Sequence, residues 1–323
     1  MLIRIVNEYD CSKGNRGSLN ALRGSVGLRR MSLEVVWRAY RLLRTSMPSA
    51  IEIETINRCN NECAFCPVNR HKDPRRPARM SDELLEKIAR ELHERQYKGL
   101  LALFSNNEPL MDKRIVDICW LFRNEVPHAY IYISTNGILL TSEIYTRLFD
   151  AGLDQMTINN YDDGLELIGP VKAMAGFMNS ARDSRIAGYV KKTKIVMRKK
   201  NEILSNRAGC APNKDENFDR SYTRYSSSSC TLPFIQVVIR PSGQVSLCCQ
   251  DALGMVTLGN VNNQSIRGIW NSQEFNDVRN RLSKYGRKAV PLCSVCDVAL
   301  LCKAVTERRL YGFIGFGMSR FEI

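Results

Sequence analysis

The sequence predicts an α/β protein built on a mainly parallel sheet. Segments typical of β-strands alternate with amphipathic helical segments from residue 51 to about residue 200, and this alternation is the pattern of βαβ units. Apolar residues make up 44% and charged residues 25% of the 323-residue chain, a globular composition that excludes global disorder. A chain of this length predicts about two domains.

Short apolar and β-branched runs predict the strands Ile51–Ile56, Leu100–Ser105, Tyr130–Thr135, Gln155–Asn159 and Thr193–Arg198. Helical spacing of apolar residues predicts helices over residues 82–96, 112–125, 141–150 and 170–182. Catalytic groups in such folds lie at the carboxyl ends of the strands. A cysteine-rich loop, residues 106–108 and residues 135–137 all follow strands, so they predict one shared site.

The cysteine content indicates metal or redox chemistry. The chain has twelve cysteines and only three histidines, and clustered cysteines in a reducing compartment bind metals more often than they form disulfides. No run reaches the ~18 apolar residues that a membrane helix needs, and the N-terminus lacks a signal-peptide pattern. We therefore expect a cytoplasmic protein without a transmembrane segment.

Three cysteines follow the first predicted strand with the spacing C-x3-C-x2-C: Cys59, Cys63 and Cys66. Three thiolates on one short loop can bind a four-iron cluster and leave one iron open to a small ligand, because such clusters usually take four protein thiolates. The alternative is a zinc knuckle. Zinc prefers a closed set of four ligands, however, and only His71 lies nearby in the sequence.

This loop resembles the signature of the radical S-adenosylmethionine (SAM) superfamily, with Phe65 at its aromatic position. The resemblance implies a partial (β/α)6 TIM-like barrel, a SAM-binding [4Fe-4S] cluster on the three cysteines, and SAM on the open iron. It also implies reductive cleavage of SAM to a 5′-deoxyadenosyl radical, which abstracts a hydrogen atom from the substrate.

Other positions of that family follow in order. Asn107-Glu108-Pro109 stands where the family has Gly-Glu-Pro, which implies that Glu108 contacts the SAM amino group, although Asn107 replaces the glycine. Ser134 and Asn136 match the polar position near the ribose and methionyl parts of SAM. Asn136 is equally explained as a turn residue ahead of Gly137.

A second cysteine group follows a linker-like segment at residues 201–229: Cys230, Cys248, Cys293 and Cys296. A hairpin is predicted by Phe234–Arg240 and Val245–Cys249 around a Pro-Ser-Gly turn. The pattern resembles the short, one-cluster form of the SPASM/twitch extension, which implies an auxiliary [4Fe-4S] cluster, with Cys302 as an alternative ligand. A structural zinc ribbon is the competing interpretation.

The chain resembles the aminoglycoside-pathway dehydrogenase and epimerase group in particular, through residues 204–207, the single auxiliary site and Asp251. This implies a polar sugar- or aminocyclitol-like substrate contacted by Arg207 and Asp251; for Arg207, a plain surface position is the alternative. The expected domains are a basic extension (1–50), the radical SAM core (51–200), a linker (201–229), the auxiliary domain (230–302) and a tail (303–323). The alternative functions are a peptide maturase and a non-enzymatic metal-binding module.

Cys249 directly follows the expected ligand Cys248. On an extended strand the two side chains point to opposite faces, so Cys249 is expected to face the cleft between the domains. There its thiol is expected to return a hydrogen atom to a substrate radical, which would give epimerisation; dehydrogenation needs no such donor. The alternative is that Cys249 only packs or substitutes as a ligand.

Positive charge is concentrated in two regions. The net charge is +14; residues 1–50 hold nine basic and three acidic residues, and residues 182–225 hold twelve and five. We expect them to attract an acidic flavodoxin- or ferredoxin-type electron donor, or a phosphorylated or lipid-linked substrate, unless they are only a solvated surface. The segment Met31–Met47 has the pattern of a basic amphipathic helix. The alternative is that the apolar face of this helix only packs on the barrel. No nucleic-acid-binding motif accompanies the charge.

Overall fold

The computed structural model describes residues 5–7, 46–202, 205–213 and 230–297. Nine strands form one sheet in the order β1-β6-β5-β4-β3-β2-β7-β8-β9. The strands are β1 (Ile5–Asn7), β2 (Ala50–Ile53), β3 (Leu100–Ala102), β4 (Tyr130–Thr135), β5 (Gln155–Tyr161), β6 (Thr193–Arg198), β7 (Gln236–Ile239), β8 (Gln244–Ser246) and β9 (Thr257–Asn260). Every pairing from β1 to β7 is parallel, which confirms the predicted α/β class with a parallel core.

The helices are α1 (Asp82–Glu94), α2 (Ile115–Glu125), α3 (Ser142–Asp150), α4 (Gly169–Ser180), α5 (Ser184–Lys191), α6 (Leu232–Ile235), α7 (Ile266–Trp270), α8 (Gln273–Tyr285) and α9 (Pro291–Ser294). Short polar residues start several of them. Ser81 Oγ accepts a hydrogen bond from Leu84 N at the start of α1, and Thr141 caps α3 in the same way. The helix α5, capped by Asp183, was not predicted.

Alternation along the strands separates the two faces of the sheet. In β2, Ile51 and Ile53 belong to the large core packed against the helices, while Ala50 belongs to a small cluster with Leu100 and Tyr132 on the other face. This period-two pattern places Glu52 on the same face as Ala50. The inner face of the sheet is therefore partly polar, and it is where the functional residues gather.

The C-terminal region extends the same sheet. Strand β7 pairs in parallel with β2, and β8 and β9 continue as antiparallel neighbours. The predicted hairpin is confirmed, although residues 234–235 end a helical turn and β9 was not predicted. Gly243 in the hairpin turn has φ +82, where an added Cβ would lie 2.3 Å from the Asn262 side chain.

Some sequence-based expectations fall on other parts of the chain. Residues 31–45 of the predicted Met31–Met47 helix, Cys302, most of the 201–229 linker and the tail lie outside the described residues. Within the described residues, no helix combines the length and apolar character that crossing a membrane requires.

Candidate functional site

The loop after β2 carries the first cysteine group. Cys63 is buried, and Cys59 and Cys66 are half-buried. Cys66 N donates to Cys63 O at 3.1 Å, and Asn61 N donates to Cys59 Sγ at 3.4 Å. These turn contacts hold the loop in a defined shape in which all three cysteines line the same cavity.

A buried ion network fixes this loop to the sheet. Arg75 Nη1 donates to both carboxylate oxygens of Glu54, at 2.9 and 3.1 Å, and Arg75 Nη2 donates to Asp73 Oδ2 at 2.9 Å. Arg58 also pairs with Asp73, at 3.3 Å, and Arg240 after β7 pairs with Glu54 at 3.6 Å. The network therefore joins the cysteine loop, the end of β2 and the C-terminal hairpin.

A cavity of about 290 Å³ lies where the parallel strands β2 to β5 end. Its wall combines the cysteine loop, polar residues after β3 and β4, side chains of β5 and residues of the C-terminal region. The sequence-predicted site residues that line it are Cys59, Cys63, Phe65, Cys66, Asn107, Glu108, Ser134, Asn136, Arg207 and Cys249. The fold thus brings together residues that are far apart in the chain.

Glu108 is tied to the end of β4. Its Oε1 accepts hydrogen bonds from Thr135 Oγ1 at 2.6 Å and from Leu110 N at 3.1 Å. Its Oε2 accepts one from Asn136 N at 2.7 Å. Burial raises the pKa of Glu108 to about 7, although these three donors lower it. The carboxylate lies on the cavity wall in a fixed orientation.

Asn136 acts both as a turn residue and as a link to the cysteine loop. Its Oδ1 accepts from Ile138 N at 2.9 Å, which closes the turn, and its Nδ2 donates to Asn60 Oδ1 at 2.7 Å. Ser134 Oγ accepts from Asn159 Nδ2 at 2.8 Å. These amides and hydroxyls hold a polar wall at the ends of β4 and β5.

Asn107 stabilises a turn of its own. Its Oδ1 accepts from Ser105 N at 2.9 Å, so the side chain closes a local turn that a glycine could not close in this way. On the cysteine side, Phe65 is 2% exposed and its ring centroid lies 6.0 Å from that of Tyr161. This aromatic pair forms an apolar wall beside the polar one.

The first cysteine group fits an iron–sulfur cluster. Among the described residues, no three cysteine, histidine or acidic side chains converge on one metal-ion position. An iron–sulfur cluster is larger than one ion and bonds its thiolates through separate irons. Burial raises the pKa of Cys59 to about 12, so a cationic group is needed to hold these buried sulfurs as thiolates.

The second cysteine group lines a smaller, separate cavity. Cys230, Cys248, Cys293 and Cys296 all contribute to its wall. Three of the four are buried and Cys296 is half-buried. Burial raises the pKa of Cys293 to about 12, while Arg287 in the same wall lowers it. The donor set of four cysteines fits an auxiliary cluster of the same kind.

Cys248 and Cys249 line different cavities. Strand β8 ends at Ser246, so the predicted extension of the strand to Cys249 is wrong, and a turn closed by Asp251 N and Cys248 O (3.1 Å) takes its place. Cys249 nevertheless faces the large cavity and Cys248 the small one. Gln250 lines both cavities and therefore lies between them.

Arg207 reaches the large cavity from a segment with unusual backbone angles. Arg207 and Ala208 have φ +48 and +51, which non-glycine residues rarely adopt. The segment is held by Asn206, whose N–H donates to Asp297 Oδ2 at 2.5 Å and whose Oδ1 accepts from Asp297 N at 3.2 Å. These bonds hold the backbone of the segment, and the Arg207 side chain lines the cavity. Among the described residues, its buried Nε has no hydrogen-bond partner.

Asp251 is not brought to the large cavity. It is fully buried, and its Oδ1 and Oδ2 accept hydrogen bonds from Met255 N at 2.8 Å and Val256 N at 2.9 Å. Both oxygens therefore stabilise the turn after the hairpin. The geometry gives Asp251 a structural position and does not support the substrate contact expected from the sequence.

Sequence reasoning missed Glu52, Ser105 and Tyr161, which all line the large cavity. The alternating segment Ile51–Ile56 was interpreted as a strand, but its two glutamates were not assigned to the site. One signal in the sequence could have pointed to Glu52. The strand that precedes the cysteine motif has an acidic face, and in a barrel the inner face of a strand is enclosed.

One cysteine group lines the cavity at the strand ends and the other lines a smaller cavity beside it. Two such groups of thiols indicate the class of the protein, an iron–sulfur enzyme. Family models agree. Residues 53–160 match the radical SAM superfamily, and residues 230–297 match the SPASM iron–sulfur cluster-binding domain. The chain therefore carries a radical SAM domain followed by a SPASM-type auxiliary domain.

A curated relative supports the same assignment. It is the S-adenosyl-L-methionine-dependent 2-deoxy-scyllo-inosamine dehydrogenase of Niallia circulans, 24% identical over 253 residues that cover 77% of this chain and 92% of the relative. The crystal structure of BtrN in complex with AdoMet and 2-DOIA has 23% identity and a TM-score of 0.64, and covers 78% of this chain and 94% of BtrN. An open conformation of BtrN has 21% identity, a TM-score of 0.56 and coverage of 78% and 93%.

Proposed function

We propose that this radical SAM enzyme removes a hydrogen atom from a C–H bond of a polar, sugar- or aminocyclitol-like substrate, leading to epimerisation or dehydrogenation. The observation that carries the proposal is the single cavity in which the three-cysteine loop faces Glu52, Arg207 and Cys249. A site lined by convergent polar groups suits a polyhydroxylated ligand. The similarity to a 2-deoxy-scyllo-inosamine dehydrogenase supports the substrate class.

The chain's own residues hold and orient the reactants. Cys59, Cys63 and Cys66 would hold the SAM-binding cluster, and Cys230, Cys248, Cys293 and Cys296 the auxiliary cluster. When bound, the first cluster and SAM together supply the radical that attacks the C–H bond. Glu108 would accept a hydrogen bond from the ammonium group of SAM, while Ser134 and Asn136 would provide polar contacts. The wall formed by Phe65 and Tyr161 excludes water from the reacting atoms.

Two outcomes are supported by different observations. Dehydrogenation is supported by the name of the relative. Epimerisation is supported by the position of Cys249 on the cavity wall, because a thiol S–H bond can give a hydrogen atom to a carbon radical and leave a sulfur radical. Nothing in the cavity similarly favours a peptide maturase, the alternative drawn from the sequence.

Product analysis tests the proposal. Reconstituted enzyme is incubated without oxygen with SAM, dithionite and 2-deoxy-scyllo-inosamine, and the cyclitol is analysed by mass spectrometry and NMR. A product two mass units lighter indicates dehydrogenation, and an isomer of equal mass indicates epimerisation. A panel of aminocyclitols and amino sugars that yields SAM cleavage but no altered substrate would contradict the proposal.

We further propose an acidic flavodoxin- or ferredoxin-type electron donor and a reducing, cytoplasmic environment. The ten described cysteines form no disulfides with one another, which supports the environment, and the two basic regions support the donor. Electrostatic docking weakens with salt. Turnover driven by a flavodoxin should therefore fall between low and physiological ionic strength, whereas turnover driven by dithionite serves as the control.

A further inference from the structure

Glu52 is a buried carboxylate with fewer hydrogen bonds than its burial requires. It is 7% exposed and lines the large cavity. Ser105 Oγ donates to Glu52 Oε2 at 2.7 Å, and within the described residues no other hydrogen bond or ion pair reaches this carboxylate. A charge held away from water with a single donor is unfavourable, so a further donor at this site would stabilise it.

The other two carboxylates at the ends of these strands are satisfied by the protein. Glu54 forms ion pairs with Arg75 and Arg240, and Glu108 accepts three hydrogen bonds. Glu54 holds the wall of the site, and the three donors hold Glu108 in the orientation proposed for its contact with SAM. Of these three carboxylates, Glu52 is the one that faces the space where a ligand would bind and accepts only one hydrogen bond from the protein.

We propose that Glu52 is the anchor for a protonated amine of the substrate. This inference rests on the proposed function and specifies the polar group that the cavity recognises. An ammonium group supplies both the missing donors and the opposite charge, whereas a hydroxyl supplies a donor only. Arg207, with its unpartnered Nε, offers the complementary contact to hydroxyl oxygens, so the two residues would select an amino-polyol over a neutral polyol.

The preference for an amine should depend on pH, because the groups around Glu52 set the pKa of its carboxyl. Burial raises the pKa of Glu52 to about 7; the Ser105 hydroxyl and Arg207 lower it, and Glu54 raises it. The Cys249 thiol is the other titratable group close by. An ammonium ion binds the ionised carboxylate, so affinity for the amine should rise about 10-fold from pH 6 to pH 8, over which an aliphatic amine stays protonated. Binding at pH 6 should release a proton.

Calorimetry on the reconstituted holoenzyme with SAM and no reductant tests the anchor. The probes are 2-deoxy-scyllo-inosamine and its counterpart with a hydroxyl in place of the amine. We expect the wild type to bind the amine at least about 10-fold more tightly at pH 8, as for a charge-assisted hydrogen bond. Buffers of different ionisation enthalpy measure the proton released at pH 6.

Two variants and a control separate recognition from folding. Glu52→Gln keeps the size of the side chain and should abolish both the preference for the amine and the proton release, with iron content and SAM affinity unchanged. Ser105→Ala removes the donor that lowers the pKa of Glu52, so the rise in amine affinity should shift to higher pH. Glu143→Gln, at a carboxylate 77% exposed on α3, should match the wild type.

Equal affinities for the two probes, no detectable binding of the amine, or a preference that persists in Glu52→Gln would each overturn the anchor. The proposed function fails separately, because it is judged by product formed under reduction. A cyclitol product without any preference for the amine leaves the function standing and removes the anchor. A preference for the amine that depends on Glu52, without any cyclitol product, supports the anchor and contradicts the proposed function.

Discussion

At the scale of single residues, the cavity separates side chains that hold its walls from side chains that face a ligand. Glu54 pairs with Arg75 and Arg240, and Asp251 caps a turn. Glu52, Arg207 and Cys249 line the same space with few protein partners. We propose that the second set determines which substrate reacts and how.

Cys249 distinguishes the two reaction outcomes. If it returns the hydrogen atom, wild-type enzyme in deuterated water should place solvent deuterium at the inverted carbon, because the thiol exchanges with solvent. Cys249→Ala should still cleave SAM but form at least about 100-fold less epimer, the scale of removing a group that transfers hydrogen. Full product formation by the variant, with both clusters present, would exclude the donor role and favour oxidation.

Glu108 is the residue whose loss should weaken SAM binding. Replacing Glu108 by Gln removes the charge that would pair with the SAM ammonium group, so affinity for SAM should fall about 10- to 100-fold. Equilibrium dialysis with the reconstituted protein measures this. Glu86→Gln, at an exposed position on α1, is the control, and an unchanged dissociation constant for Glu108→Gln would contradict the assignment.

At the scale of elements, the cysteine loop depends on the ion network formed by Arg75, Glu54, Asp73, Arg58 and Arg240. The paired carboxylates are almost completely buried. Removing one partner of such a network leaves a buried charge uncompensated. The loop, the end of β2 and the hairpin should therefore lose their arrangement together.

Arg75→Leu tests this dependence. The substitution should lower the free energy of unfolding of the cluster-free protein by about 3–5 kcal/mol, measured by urea denaturation. Arg90→Leu removes an exposed pair with Glu86 in α1 and should cost about 0.5 kcal/mol or less. Similar losses for both variants would show that the network does not hold the loop.

Much of the core could be predicted from the sequence, and the reasons are local. Strands β4 and β6 match their predicted limits because β-branched runs end at clear polar residues. The first cysteine loop was found by spacing alone. Glu52 was missed because alternation gives the face of a strand without saying whether that face is enclosed, and the pairing of β7 with β2 depends on contacts distant in the sequence. Asp251 was expected to contact the substrate, but a sequence motif does not determine the direction in which a side chain points.

At the scale of the whole molecule, one sheet carries both cysteine groups. The first follows β2, and the second surrounds β7 and β8, which continue the sheet on the other side of β2. The large cavity lies beside both groups, with Gln250 at the boundary between the two cavities. This arrangement would place the proposed substrate site next to both cysteine groups.

Iron content tests the presence of two clusters. The reconstituted chain should hold about eight irons, and a Cys59/Cys63/Cys66→Ala variant about four, by the four-iron stoichiometry. Cys119→Ala, at a buried cysteine in α2 outside both groups, should keep all eight. One zinc ion with about four irons in the wild type would contradict an auxiliary cluster and indicate a zinc ribbon.

The central claim is that the cavity at the strand ends binds SAM and a polar amino-polyol together, so that the radical formed from SAM abstracts a hydrogen atom from the polyol. The most direct measurement uses 2-deoxy-scyllo-inosamine deuterated at its ring carbons and follows the 5′-deoxyadenosine released from SAM by mass spectrometry. We expect one deuterium in the 5′-deoxyadenosine together with a changed cyclitol, and neither in the Cys59/Cys63/Cys66→Ala variant. Unlabelled 5′-deoxyadenosine formed at the same rate with and without the cyclitol would contradict the claim.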